Sequence, residues 1–136
     1  MREPVSDRDE MVAQMAPLLD DQAYCFLLIS PEMAPTALGS AIGTFREDEG
    51  VTAIVPEGVA RELGDESSAF ARITLRVHSA LEGVGLTAAV SGALADAGIA
   101  CNIVAAFHHD HVFVPAERAE EALYTLKNLQ AERRPD

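Results

Sequence analysis

The chain has 136 residues, enough for one ordinary domain or for two very small ones that share a core. With 22 acidic and 10 basic residues its net charge is −12, so nucleic acids and anionic membranes are not expected partners. The apolar runs are too short for a membrane span, and the acidic N-terminus does not resemble a signal peptide, so a cytoplasmic protein is expected. In that compartment Cys25 and Cys101, which lie in apolar runs, are expected to be buried, reduced thiols.

The N-terminal segment predicts a helix, a strand and a loop. Residues 6–19 have helical apolar spacing, and Ser6 is positioned to cap the helix. The compact apolar run at 23–30 predicts a strand buried on both faces. Residues 31–40 contain two prolines and a glycine, which indicates a loop.

A hairpin and a short helix are expected next. In residues 41–56, two apolar-rich runs flank an acidic turn in which Gly50 suits a positive φ. Pro56 is placed as the first residue of a short helix that Gly64 ends.

Residues 70–78 alternate between apolar and polar side chains, as in a half-buried strand. Helical spacing resumes after Gly85, and Gly98 is expected to end that helix. Residues 99–107 and 111–115 predict a second hairpin, which is followed by a helix from Pro115.

The order from residue 70 is therefore β-α-β-β-α, and from residue 23 it is the same with a loop in place of the first helix. This predicts an α+β fold with helices on one face of a mostly antiparallel sheet. The expected divisions are an N-terminal helix at 1–20, a degenerate unit at 21–68, a complete unit at 69–129 and a tail at 130–136.

Three blocks of sequence resemble the small bacterial ACT-domain proteins of unknown function that carry two ACT-like units per chain. The blocks are TFREDEGVTAIVP (44–56), ITLRVHSALEGVGLTAAVSGALADAGIACNIVA (73–105) and HDHVFVPAERAEEAL (109–123). The resemblance implies tandem ferredoxin-like βαββαβ units. It also implies a regulatory module that binds a small ligand, commonly an amino acid, and that pairs into larger sheets.

By this resemblance, the ligand site lies at the turn between the first strand and first helix of the second unit. The residues implied are His78, Ser79, Glu82, Gly83, Val84, Gly85 and Leu86, with Asn102 and Ile103 facing them. A helix N-terminus suits a carboxylate, and the glycines allow close approach of the backbone. The alternative from the residues alone is a tight turn with a solvated Glu82.

The HHDH run at 108–111 contains potential metal ligands, but a polar hairpin turn supported by Asp110 is the favoured interpretation, with no metal. His109 or Asp110 lining a ligand or subunit interface remains a third interpretation. Ser79 and His78 are adjacent in a strand and point to opposite faces, so they cannot form a nucleophile–base pair directly. No nucleotide-binding glycine motif is present.

We therefore expect a non-catalytic regulatory module that needs no cofactor, binds a small amino acid or related metabolite, and forms a homodimer. The alternative is a structural protein that uses its sheet to associate with other proteins and binds no ligand.

Overall fold

The computed structural model describes residues 7–77 and 85–133. The chain divides into two compact units. The smaller unit is Asp21–Ala71, and the larger unit combines the described residues up to Asp20 with those from Arg72 onward. Among the described residues, no helix is long and apolar enough to cross a membrane.

The helices and strands follow one another in the order α1 (Arg8–Ala13), β1 (Pro17–Leu28), α2 (Ala34–Ser40), β2 (Gly43–Glu47), β3 (Gly50–Pro56), α3 (Glu57–Glu62), β4 (Phe70–Leu75), α4 (Leu86–Asp96), β5 (Asn102–Ala105), β6 (Asp110–Pro115), a 3₁₀ turn (Ala116–Arg118) and α5 (Ala119–Arg133). Strands β1 and β4 each contribute residues to both units.

The smaller unit is a sheet in the order β2-β3-β1 with α2 and α3 packed on it. Both strand pairs are antiparallel, with Cys25 opposite Val55 and Leu27 opposite Ala53. Those four side chains form one buried cluster with Ala37 of α2 and Ala60 of α3. Small residues on the helices therefore allow close packing onto a β-branched and aliphatic sheet face.

The larger unit has the strand order β1-β4-β6-β5, to which β1 contributes Pro17–Asp20. The β5–β6 hairpin is antiparallel, with Asn102 opposite Phe113. Helices α1, α4 and α5 pack against one another. Their fully buried residues include Met11, Val90 and Leu126.

Several expectations are confirmed. Both hairpins form, and in β4 the burial alternates residue by residue, with Ala71, Ile73 and Leu75 buried. Gly50 has φ 143°, and Gly98 has φ 73° directly after the C-cap of α4. The α+β fold with an antiparallel sheet is therefore correct.

The expected helix at 6–19 is wrong beyond residue 13. Helix α1 ends at Ala13, and Pro17 begins β1, because a proline inside a helix removes a hydrogen bond and clashes with the preceding turn. Leu18 is consequently a strand residue that is 50% exposed. The cap is Asp7, whose Oδ1 accepts a hydrogen bond from Glu10 N at 2.9 Å, and Ser6 lies outside the described residues.

The expected loop at 31–40 is also wrong, because α2 occupies most of it. Pro35 stands in the first turn of α2, where the missing N–H needs no partner within the helix. Each half of the chain therefore has the order β-α-β-β-α, and the first half contains both helices of the motif rather than a loop in place of one. Pro56 is the N-cap of α3 rather than its first residue, and α5 continues to Arg133, inside the expected tail.

Candidate functional site

The predicted ligand turn is only partly within the described residues. His78, Ser79, Glu82, Gly83 and Val84 lie outside them. The described members are Gly85 and Leu86 at the start of α4, and Asn102 and Ile103 at the start of β5.

Helix α4 begins at a glycine in a left-handed conformation. Gly85 has φ 106° and ψ −15°, and it is the N-cap residue. No capping side chain from the described residues bonds to this end of α4, and its first turn carries no acidic residue. No described side chain therefore occupies the first N–H groups of the helix, and these groups lie at the positive end of its dipole, where an anionic group is favoured. Leu86 is buried and anchors this end of the helix.

Asn102 and Ile103 occupy consecutive positions on β5, the edge strand of the larger unit. Asn102 is exposed and lies opposite Phe113, whereas Ile103 is half-buried and lies opposite Val112. Since successive side chains of a strand point to opposite faces, only one of the two residues faces any given ligand directly. Asn102 is the one with hydrogen-bonding groups.

Arg8 is a residue near this turn that the sequence did not indicate. A Cβ placed on Gly85 would lie 2.7 Å from Cδ, 2.9 Å from Cγ and 3.1 Å from Cβ of Arg8. The aliphatic part of Arg8 therefore lies directly against the start of α4, which explains why a glycine is required there. The spacing between α1 and α4 in the sequence contains no signal for this contact.

The HHDH run forms the turn of the second hairpin and the start of β6. The turn is closed by a hydrogen bond from Ala106 N to His109 O at 2.9 Å. His111 Nδ1 lies 3.0 Å from Thr74 Oγ1. Among residues 7–77 and 85–133, no group of three metal-binding side chains comes close enough to hold an ion.

The two titratable groups that begin β6 are both perturbed by burial. Burial lowers the pKa of His111, and the positive charges of Arg72 and His109 lower it further. Burial raises the pKa of Asp110, and the charge interaction with His109 partly offsets that rise. His111 is therefore held in its neutral form, in which Nδ1 and Thr74 share one hydrogen bond.

Two compact βαββα units in tandem, each with helices packed on an antiparallel sheet, define a ferredoxin-like α+β protein. Two family profiles, both described as ACT domain, match residues 4–72 and 71–128. The chain belongs to the ACT-domain family. A search of curated proteins finds no significant match.

Solved structures agree with this assignment. A Vibrio cholerae protein of unknown function, described as a possible transport protein, is 40% identical with a TM-score of 0.76, and the match covers 86% of this chain and 91% of that one. The ligand-free regulatory subunit of aspartate kinase from Thermus thermophilus is 18% identical with a TM-score of 0.64, covering 86% and 97%. Aspartokinase III of E. coli, in complex with aspartate and ADP, is 17% identical with a TM-score of 0.58, covering 84% of this chain and 33% of the enzyme. The last two show a shared fold alone.

Proposed function

We propose that this protein is a non-catalytic ACT-type regulatory module that binds a small amino acid or related metabolite at the turn joining β4 to α4. The observation that carries the proposal is the start of α4. There, Gly85 is left-handed and no described side chain caps the helix. Free N–H groups at the positive end of a helix dipole are suited to the carboxylate of an amino acid.

The remaining groups of such a ligand have candidate partners. The exposed side chain of Asn102 offers a carbonyl oxygen to an ammonium group, and Glu82 is the candidate anion in the predicted turn. The aliphatic part of Arg8 lies against Gly85 and therefore borders this end of the proposed site. The proposed site thus distinguishes the two ends of a zwitterion.

The wider proposal is a cytoplasmic homodimer that uses no cofactor and performs no chemistry. Family membership supports the regulatory role, since ACT domains are ligand-binding modules. The net charge of −12 argues against nucleic-acid and membrane partners.

A thermal-shift screen against the common amino acids tests the proposal. A ligand that binds only the folded state stabilises it by about 2.7 kcal/mol at a hundredfold excess over Kd, which shifts the unfolding midpoint by several degrees. For the amino acid that binds, Asn102→Ala should weaken binding in calorimetry. Asn128→Ala, on the exposed face of α5, is the matched control and should bind as the wild type does.

If no amino acid moves the midpoint, or if Asn102→Ala and the wild type bind equally, the site is not as proposed. Gly85→Asp extends the test when it is compared with Gly85→Ala, which has the same steric and conformational cost without the charge, and it should bind more weakly than Gly85→Ala because its carboxylate would repel that of the ligand.

The alternative of an interaction protein is favoured by one feature of the smaller unit. Phe45 of β2 and Leu28 of β1 are both opposite Thr52 of β3, so the three side chains form one row across a sheet face. Phe45 is 71% exposed and Leu28 is 63% exposed. If Phe45→Ser lowers the molar mass in analytical ultracentrifugation while no amino acid binds, association through this face is the better description.

A further inference from the structure

The larger unit contains a depression whose charge is opposite to that of the protein as a whole. Its volume is about 350 Å³, and it is lined by Ala16, Pro17, Arg76, Lys127, Gln130 and Ala131. Ligand pockets range over about 300–1,000 Å³, so this one has room for a small metabolite. Two of its lining residues are cationic and none is acidic, in a chain with a net charge of −12.

Four of the six other described cations form an ion pair with an acidic residue, whereas Arg8 and Arg46 form none with a described residue and do not line this depression. Arg61, Arg72, Arg118 and Arg133 each form an ion pair with an acidic residue. Within residues 7–77 and 85–133, neither Arg76 nor Lys127 has an acidic partner within 4 Å. With 22 acidic residues available in the chain, two cations that share a depression and lack a counter-ion mark a place where an external anion is favoured.

Arg76 is held in position by the segment that follows α1. Its Nε donates to Ala16 O at 2.9 Å, and its backbone N donates to Met15 O at 2.7 Å. Ala16 has φ 44°, an uncommon conformation for a residue with a side chain, and Pro17 follows it. With Nε engaged, the two terminal nitrogens of Arg76 form no hydrogen bond with a described residue and are available to a ligand.

Helix α5 supplies the opposite wall. Lys127, Gln130 and Ala131 stand at i, i+3 and i+4, so they share one face of the helix. Gln130 is buried, and its Nε2 donates to Ala13 O at 2.9 Å. Residues 13–16 are therefore bonded both to Arg76 and to α5, which brings Arg76 and Lys127 to the same depression.

We propose that this depression binds the oxyanion group of a small metabolite, a carboxylate or a phosphate. The Arg76 guanidinium presents paired N–H donors that match two oxygens of such a group, and Lys127 supplies a second, mobile charge. None of the described residues of the proposed amino-acid site, which are Gly85, Leu86, Asn102 and Ile103, lines this depression.

The test is a titration of the ¹⁵N-labelled protein, followed by amide chemical shifts. Sodium phosphate and sodium succinate are added separately, with sodium chloride keeping the ionic strength equal. Saturable shifts are expected at Ala16, Lys127 and Ala131. Lys127→Gln, an exposed substitution, should weaken the Kd about tenfold or more, because bonds to charged groups are the strong ones. Arg61→Gln removes the same charge from α3 and should leave the Kd unchanged.

Each outcome has a defined meaning. Saturation by phosphate alone, by succinate alone or by both supports the site and identifies the group it accepts. Shifts that do not saturate, shifts confined to the start of α4, or equal Kd values for Lys127→Gln and the wild type overturn it. Lys127→Glu should abolish binding and provides a second variant.

The same titrations distinguish this proposal from the proposed amino-acid site, because each site can be supported while the other fails. An amino acid that shifts the amides of residues 86–89 equally in wild type and Lys127→Gln supports only the turn site. Anion saturation at Ala131 without any amino-acid binding supports only the depression.

Discussion

Replacing Gly85 by alanine should destabilise the protein by about 2–5 kcal/mol. The left-handed backbone, with φ 106°, costs a residue with a side chain about 1–2 kcal/mol. The new Cβ would also lie 2.7–3.1 Å from Cδ, Cγ and Cβ of Arg8. Because two of these atoms are close to the Arg8 backbone, rotating the guanidinium away does not relieve the contact. Such overpacking adds about 1–3 kcal/mol.

Two further variants separate these contributions. Gly98 has φ 73° at the end of α4, and a Cβ there would meet no atom within 4 Å. Gly98→Ala should therefore show only the conformational cost of about 1–2 kcal/mol. Arg8→Ala removes Cγ and Cδ, so Gly85→Ala in that background should cost about as much as Gly98→Ala. The coupling free energy between positions 8 and 85 should be about 1 kcal/mol or more.

The assay is urea unfolding of the wild type, Gly98→Ala and the four members of the 8/85 cycle, followed by circular dichroism. Equal costs for Gly85→Ala and Gly98→Ala would refute the contact between Arg8 and Gly85. So would a cost of Gly85→Ala that is unchanged by Arg8→Ala. In either case the requirement for glycine would be a matter of backbone conformation alone.

Three other variants test the larger unit. Leu126→Ala, at a fully buried position in α5, should lower the free energy of unfolding by about 2–5 kcal/mol in urea titrations, and a loss under 1 kcal/mol would contradict the packing. Gln130→Ala leaves the carbonyl of Ala13 without its donor and should cost about 1–3 kcal/mol, whereas an unchanged midpoint would show that the bond is not formed. Burial lowers the pKa of His111 below its usual value of about 6.5, so the unfolded chain takes up this proton first on acidification. The contribution of neutral His111 is therefore present above about pH 6.5 and is lost as pH falls toward the lower pKa of the folded state. His111→Asn keeps a hydrogen-bonding group near Thr74 and should flatten the plot of unfolding free energy against pH in that range, and a slope equal to that of the wild type would refute the reasoning.

Local sequence signals were sufficient where one periodicity or one turn residue determined the structure. The alternation in β4, Gly50 in the first hairpin and Gly98 after α4 are examples. Local signals were insufficient where a proline was compatible with more than one type of secondary structure. Pro35 indicated a loop but stands in the first turn of α2, and Pro17 was assigned to a helix although it begins β1. At Pro35, packing of α2 in its unit determines the outcome, and a local window does not contain that packing. At Pro17 the signal was local, since proline is unfavourable inside a helix, but the helical apolar spacing of residues 6–19 was given more weight.

The candidate sites divide in a similar way. Gly85 and Asn102 were predicted from the resemblance and from the properties of a helix start, and they remain predictions. The sequence did not indicate Arg8, Arg76 or Lys127. Arg8 is far in sequence from Gly85, and Arg76 is far from Lys127, so each pair is brought together only in the folded unit. Each of the three cations looks like an ordinary surface cation in the sequence. Their significance comes from what the fold places beside them and, for Arg76 and Lys127, from the lack of an acidic partner among the described residues.

The N-terminal segment contacts both residues that border the predicted ligand turn. Before the turn, the backbone N–H groups of Arg76 and Val77 donate to Met15 O, at 2.7 Å and 3.3 Å. After it, Gly85 lies against Arg8 of α1. A ligand that reorders the proposed turn would therefore act on residues 8–16 from both sides. Because such coupling is reciprocal, changes in this segment would alter ligand affinity by the same free energy.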